Sequence, residues 1–320
     1  MIEIAGVRKS FGSCAALEDI SLRISAGEVF AILGPNGSGK TTLLKCMAGL
    51  VRPSAGQIRI NGRELSPDNQ LAKSAFSYLP QQVCLPDQLT AREVLQFYAR
   101  LRGVTNGRVQ QLLSGSALNG FGERRICEYS GGMLQRLGLA VALLPDSAVL
   151  LLDEPSSGLD PGACARLRGL LTDLRSQGRT VVFSCHVLAD VESIADRVAI
   201  LLNGRLAGIE QISELRQKLA TAARMRLQLR RTDPGLCVVA QRAGASTAKL
   251  EANSLIVICR PEQRPNLVRA LQDAGTEIES FTTQEPTLED IYARYVHENF
   301  HGSAVGHGHG LPGQPEASAH

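Results

Sequence analysis

The spacing of apolar residues changes period along this chain, and each change marks a different kind of element. From Ile2 to about Leu33 they come in short β-like runs broken by turns. Leu22-Arg23-Ile24 and Val29-Phe30-Ala31-Ile32-Leu33 flank Ser25-Ala26-Gly27-Glu28, a spacing that predicts a hairpin. A helix is expected to follow Lys40 and stop near Gly49, and Gln57–Gly62 reads as a strand ending in a tight Asn-Gly turn. From about Leu89 to Leu144 the period becomes helical, as in Glu93-Val94-Leu95-Gln96-Phe97-Tyr98. Two continuous aliphatic runs follow, Ala148–Leu152 and Thr180–Ser184, with a predicted helix over Gly162–Gln177 that stops at Gly178. Strand, helix and strand in that order favour an α/β core with a parallel sheet.

After about Lys218 the pattern shifts again. Met225–Leu229, Leu255–Cys259 and Glu277–Phe281 read as strands and Pro265–Asp273 as a helix, which makes a small α+β domain over residues 221–297 ending in a helix, Leu288–His297. Residues 301–320, rich in Gly, Ala and His, read as a disordered tail. Five histidines fall at positions 297, 301, 307, 309 and 320, and such a tail can bind Cu, Ni or Zn, although no fixed geometry is implied.

Composition narrows the class. A chain of 320 residues with 44% hydrophobic and 20% charged positions has room for one large domain and one small one, of ordinary globular type. A net charge of +3, without a Lys/Arg-rich block and without Trp, argues against a nucleic-acid partner. The eight cysteines form no CxxC pair, so reduced thiols are expected rather than a disulfide framework. The start of the chain does not read as a signal peptide, and no window holds the roughly eighteen uninterrupted apolar residues of a membrane span.

The chemistry begins at Gly34-Pro35-Asn36-Gly37-Ser38-Gly39-Lys40-Thr41, which fits the pattern GxxxxGK[ST] between a predicted strand and a predicted helix. Glycines there let successive backbone N–H groups turn in around phosphate oxygens, and the helix N-terminus adds a favourable dipole. Lys40 can reach the β- and γ-phosphates of ATP, the Thr41 hydroxyl can ligate Mg²⁺, and Thr42 follows at the same helix end. The run Val149–Leu152 then delivers Asp153 and Glu154 to the end of a buried strand, where ligands collect in α/β sheets. Asp153 would hold Mg²⁺, and Glu154 would orient or deprotonate the attacking water.

Tyr129-Ser130-Gly131-Gly132-Met133-Leu134-Gln135-Arg136 resembles the Leu-Ser-Gly-Gly-Gln signature of the ABC ATPase family, departing from it at Tyr129 and Met133. The resemblance covers about residues 1–218 and implies a P-loop NTPase: a RecA-like α/β core with an antiparallel β subdomain and a helical subdomain at about 83–144. It implies that Ser130, Gly131 and Gly132 face the γ-phosphate across a dimer of two ATPase chains. Gln81 resembles the family's Q-loop residue, a sensor of Mg²⁺ and of the membrane partner, with the adjacent Gln82 as the alternative. Ser157-Gly158-Leu159-Asp160 resembles the D-loop, which crosses the dimer interface and would bring Asp160 to the nucleotide. His186 resembles the switch histidine that contacts the γ-phosphate, and Phe11 the aromatic that stacks on adenine.

The family's partner is an integral membrane permease, which would place the chain peripherally on the cytoplasmic face of the inner membrane. Gln284–Tyr292 is similar to the ending of ATPases of ABC-2-type exporters and assembly systems. That ending and the overall length also resemble the NosF ATPases of copper-site assembly in nitrous-oxide reductase. This resemblance implies a NosY-like membrane partner and, through it, a NosD-like periplasmic accessory protein. One P-loop and no sustained heptads set the chain apart from tandem or coiled-coil soluble ABC ATPases.

Overall fold

The computed structural model describes residues 1–66, 69–115, 118, 120–215 and 224–284. Strands β1 (Ile2–Phe11), β2 (Cys14–Ile24), β4 (Ala55–Ile60) and β5 (Arg63–Glu64) form an antiparallel sheet in the order β2-β1-β4-β5. The Asn61-Gly62 turn that joins β4 to β5 has both residues at positive φ, 51° and 75°, as a two-residue hairpin demands.

The second sheet has the order β10-β9-β3-β8-β7-β6, with β3 (Val29–Leu33), β6 (Phe76–Leu79), β7 (Val149–Leu152), β8 (Thr180–Cys185), β9 (Arg197–Leu202) and β10 (Arg205–Gln211). All neighbours are parallel except β10, which pairs antiparallel with β9 at one edge. Every residue of β3, β7 and β8 is buried, which explains why these strands read as unbroken apolar runs rather than alternating ones.

That burial also corrects the expected hairpin at Ser25–Glu28. β2 and β3 lie in different sheets: β2 pairs with β1 and β3 lies between β8 and β9. The turn is real, with Gly27 at φ 73° and the Ser25 N–H donating to the Glu28 carboxylate at 2.6 Å. It carries the chain from one layer to the next.

Helix α1 (Lys40–Met47) leaves β3 and stops at Ala48, with Gly49 at φ 65°. It packs with the antiparallel sheet in one core, which includes Leu17, Ile20, Phe30, Leu43, Met47 and Leu151. The opposite face of the parallel sheet is covered by α6 (Pro161–Ser176) and α7 (Leu188–Ile194), through Leu167, Leu171 and Val191 among others.

Helices α3 (Ala91–Arg102), α4 (Asn106–Gly115) and α5 (Gly131–Leu143) share a separate core around Leu95, Leu113 and Leu137. Thr90 and Glu93 close a capping box at the start of α3, and Gly103, left-handed at φ 66°, ends it. The short helix α2 (Gln70–Ser74) precedes β6.

Residues 224–284 form an antiparallel sheet in the order β12-β13-β11-β14, from β11 (Arg224–Leu229), β12 (Thr247–Glu251), β13 (Ser254–Ile258) and β14 (Ile278–Gln284). Helices α8 (Gly235–Arg242) and α9 (Arg264–Asp273) pack on it around Leu227, Leu255, Leu267 and Leu271. Strand β12 and helix α8 were not anticipated from the apolar pattern. The expected boundary near 218–221, the helix Leu288–His297 and the tail 301–320 lie outside the described residues. Among the described residues no helix is long and apolar enough to cross a membrane. All eight cysteines are free, with Cys46, Cys185 and Cys259 buried and Cys14, Cys84 and Cys127 exposed.

Candidate functional site

The site is assembled at the carboxyl ends of β3, β7 and β8, with Gln81 arriving from the loop after β6. The loop from Gly34 to Gly39 is shaped by close approach. A Cβ on Gly34 would fall 2.3 Å from the Leu201 carbonyl oxygen and 2.5 Å from Ser38 Oγ, so a side chain there would close the loop. Gly37 and Gly39 sit at φ 80° and 102°, conformations that glycine alone adopts without strain. Ser38 Oγ is buried and makes no hydrogen bond among the described residues, a polar atom suited to a ligand oxygen.

Lys40 opens α1 with only 4% of its surface exposed. Its Nζ donates to the Gly34 and Pro35 carbonyls at 2.9 and 3.1 Å, and stands 3.8 Å from Glu154 Oε1. A phosphate within the loop would offer this buried amine stronger, charged acceptors.

Asp153 is fully buried, and its carboxylate is bracketed by hydroxyls. Thr41 Oγ1 donates to Oδ1 at 3.2 Å, Ser184 Oγ donates to the same oxygen at 2.6 Å, and the Tyr78 phenol donates to Oδ2 at 3.5 Å. Burial first, then the neighbouring Asp153 charge, drives the Tyr78 phenol well above its ordinary pKa, so it stays a donor. An oxygen-only pair, Thr41 hydroxyl and Asp153 carboxylate at the end of a P-loop helix, fits a small hard cation of the Mg²⁺ class.

Glu154 has φ 47°, rare for a residue with a side chain, and its N–H donates to Ser184 Oγ at 2.8 Å. The turn directs its carboxylate to three side chains of expected function. Lys40 has been noted; Gln81 Nε2 donates to Oε2 at 3.2 Å; His186 Nδ1 lies 3.4 Å from the same oxygen. Of the adjacent glutamines, Gln81 is thus the one bonded to Glu154. His186 keeps 53% of its side chain exposed, open to a ligand beyond the carboxylate.

The segment Ser130–Gly132 is not drawn into this cluster by its hydrogen bonds. Ser130 instead caps α5, its Oγ accepting the Met133 N–H at 3.3 Å, and leaves Gly131 and Gly132 as a helix N-terminus of small residues. Gly132 packs against the D-loop-like segment, where a Cβ would lie 3.1 Å from the Gly158 carbonyl. Asp160 was expected at the nucleotide. Its Oδ1 accepts the Ala163 N–H at 2.8 Å, capping α6, and its Oδ2 is 3.7 Å from Arg136. Phe11, at the end of β1, is 52% exposed with Lys9 Nζ 4.8 Å from its ring centroid, so its face is on the surface and not in the core.

Three residues of this site escaped the sequence reading. Ser184 reads there only as the last position of an apolar run, yet it ties Asp153 to the backbone of Glu154. Tyr78 sits in a strand rich in apolar residues. Gln135 is buried and its Nε2 donates to the Glu154 and Pro155 carbonyls at 3.5 and 3.4 Å, joining α5 to the turn at Glu154. Replacing Ser184 by Ala removes both of its bonds from a fully buried position. We expect a loss of about 1–3 kcal/mol in stability and of about tenfold in ATP turnover with ATP affinity retained. Chemical denaturation and steady-state kinetics check this; S184T, which keeps the hydroxyl, restores turnover.

Comparison with known proteins agrees with this geometry. Residues 17–157 match the family model described as ABC transporter. The chain is 31% identical over 306 residues to the daunorubicin resistance ATP-binding protein DrrA3 of Streptomyces coeruleorubidus, covering 91% of this chain and 94% of that one. It is 32% identical over 304 residues to the Nod factor export ATP-binding protein I of Rhizobium etli, with 92% of each chain covered. Among solved structures, it is similar to the dimeric, post-hydrolysis ATP-binding cassette MJ0796 bound to ADP and Pi. There the TM-score is 0.62 at 27% identity, over 66% of this chain and 99% of that one. With likeness that runs nearly end to end and a P-loop on the same fold, the chain belongs to the ATP-binding proteins of ABC transporters.

Proposed function

We propose that this ATPase is the motor subunit of an ABC-2-type exporter, working as a homodimer on the cytoplasmic face of the inner membrane against a multi-spanning permease. The observation that carries the reading is the convergence of Lys40, Gln81 and His186 on the Glu154 carboxylate, beside a buried Asp153. The loop of residues 34–39, through the backbone N–H groups of all but Pro35, binds the phosphates together with Lys40, Thr41 and Thr42. Thr41 and Asp153, with Gln81 nearby, would hold Mg²⁺, whose charge offsets that on the β- and γ-phosphate oxygens. Glu154 takes the proton of the attacking water, Gln81 orients that water, and His186 contacts the γ-phosphate. Phe11 stacks on adenine. Ser130, Gly131 and Gly132 complete the site of the opposite subunit, a role suited to a helix N-terminus made of small residues. Asp160, on the D-loop, holds α6 against Arg136 next to that interface.

ATP does work here because it binds the closed dimer better than the open one, and hydrolysis removes that preference. Relatives named for drug resistance and Nod factor export support an exported cargo in place of the copper-assembly role expected from the chain's ending. The copper reading rests on overall length and on residues 284–292, of which only Gln284 lies among the described residues. It survives as a second reading that the partner decides.

Helix α3 offers the surface for that partner. Phe97 and Leu101, one turn apart, are 55% and 65% exposed, an apolar pair on a subdomain whose core is complete without them. Purification from gently solubilised native membranes, followed by mass spectrometry, should recover a multi-spanning subunit. The double change F97D/L101E should abolish that recovery while leaving the isolated chain's ATPase rate within about twofold. A periplasmic copper-maturation protein in the same fraction would move the assignment to a NosF-like assembly. A chain confined to the soluble fraction would overturn the motor reading.

A further inference from the structure

A cavity of about 720 Å³ lies away from the P-loop between the helical subdomain and the core, within the range of small-molecule sites. Its walls are apolar: Leu112 of α4, Leu139 and Leu143 of α5, Leu167 and Leu170 of α6. Its charges are not balanced, for Arg108, Arg136, Arg166 and Arg179 line it against Asp146 and Asp173.

The end of the groove where α5 finishes is the more demanding. Arg179 is 7% exposed, and one of its terminal nitrogens has no hydrogen-bond partner among the described residues. Its Nε donates to the Ser147 carbonyl at 2.8 Å, and its other terminal nitrogen is 3.6 Å from Asp146, whose side chain is 91% exposed and therefore solvent-screened. Among the described residues Arg108 donates to neutral acceptors, Gln111 Oε1 at 2.8 Å and the Leu143 carbonyl at 3.2 Å. Burial, with Arg108 adding to it and Asp146 opposing, lowers the Arg179 pKa from its ordinary value. A buried guanidinium, Arg179, and a half-buried one, Arg108, thus stand at one end of a leucine-walled slot, with no buried anion to match them among the described residues.

We infer that this groove is a binding site for a small amphipathic anion, a medium-chain carboxylic acid or a compound of that shape, with its carboxylate at Arg108 and Arg179 and its apolar body along the leucines of α5 and α6. The chemistry follows from the lining: guanidinium pairs favour carboxylates, and a chain of methylenes removes apolar wall from water. The position gives the site a consequence. Helix α5 begins at the Ser130–Gly132 segment and α6 begins at Asp160, and Arg136 bridges the two at 3.7 Å. A ligand lodged between them fixes the spacing of two segments that the dimer must close upon, so occupancy slows ATP turnover. Binding itself requires no membrane partner, so its failure is distinguishable from failure of the exporter reading.

Decanoate serves as the probe, with displacement of 8-anilinonaphthalene-1-sulfonate fluorescence from the full-length chain as the readout and 1-decanol as the neutral control. We expect decanoate to bind with Kd below about 100 µM and decanol at least about tenfold more weakly. Arg108→Gln should weaken decanoate about tenfold, and Leu170→Trp, which fills the slot, should abolish displacement. Both variants should keep wild-type melting and basal turnover, and decanoate should slow wild-type turnover but not that of L170W. Equal binding of decanol and decanoate, or wild-type binding by R108Q, would overturn the anion site. Decanoate bound with turnover unchanged would overturn the link to α5 and α6.

Discussion

Glu154→Gln should leave ATP binding intact and lower hydrolysis by about 10²–10⁴-fold, the range set by loss of a general base. The amide keeps the size of the carboxyl group and can still hydrogen-bond Gln81 and His186, which lie 3.2 and 3.4 Å from Oε2. What it loses is the capacity to take a proton from water at neutral pH. Lys40 belongs to α1 and the carbonyls it contacts to the loop that follows β3, so the phosphate cradle does not depend on the charge at position 154. The unusual backbone at φ 47° is held by Ser184 through the N–H, independent of the side chain. The change therefore separates binding from chemistry. With hydrolysis blocked, the ATP-bound dimer should accumulate, visible as a shift to twice the mass in size-exclusion chromatography with ATP and not with ADP. Single-turnover phosphate release measures the rate; turnover within threefold of wild type would remove Glu154 from the proton-transfer role.

Much of that constellation is legible in the sequence because each member sits at the end of a strongly patterned element. The β3 run, the glycines and Lys40 are contiguous, and Val149–Leu152 leads straight into Asp153 and Glu154. What escapes is whatever depends on contact between distant segments. Ser184 belongs to an apolar run and is 30 and 31 residues from the partners it joins, so only the parallel register of β7 and β8 discloses it. The hairpin predicted at Ser25–Glu28 fails for the same reason. Turn chemistry is local, but which sheet a strand joins is settled by tertiary packing, and the fully buried β3 is drawn to the centre of the parallel sheet. In the C-terminal unit, β12 is half-exposed at a sheet edge and α8 is only eight residues long, so neither shows a clear period.

Lys40→Met should produce the other large effect, on binding as well as rate. In this fold the ammonium is nearly enclosed, and it has three oxygens within reach, the Gly34 and Pro35 carbonyls and Glu154 Oε1. Methionine fills a similar volume without the donors, so the helix should still form and the core around Leu43 and Met47 should remain packed. Two consequences oppose each other in stability. The Gly34 and Pro35 carbonyls lose their bond to the ammonium, and the half of Glu154 that faced it loses a counter-charge in a site where its carboxylate is 8% exposed. Against that, burial of a charged amine no longer has to be offset. We expect a net change of about 1–3 kcal/mol towards lower stability, because breaking one side of a buried pair leaves the other unpaired. ATP affinity should fall by at least about a hundredfold, since the γ-phosphate loses the buried ammonium of the cradle and the loop loses the internal clamp that shapes it. Lys40→Arg discriminates charge from shape: guanidinium is too broad for a slot bounded by two carbonyls at 2.9 and 3.1 Å, so it should recover charge without recovering turnover. Fluorescent-nucleotide titration together with thermal melts reads both quantities, and an R variant that restores full turnover would show that the site asks only for positive charge there.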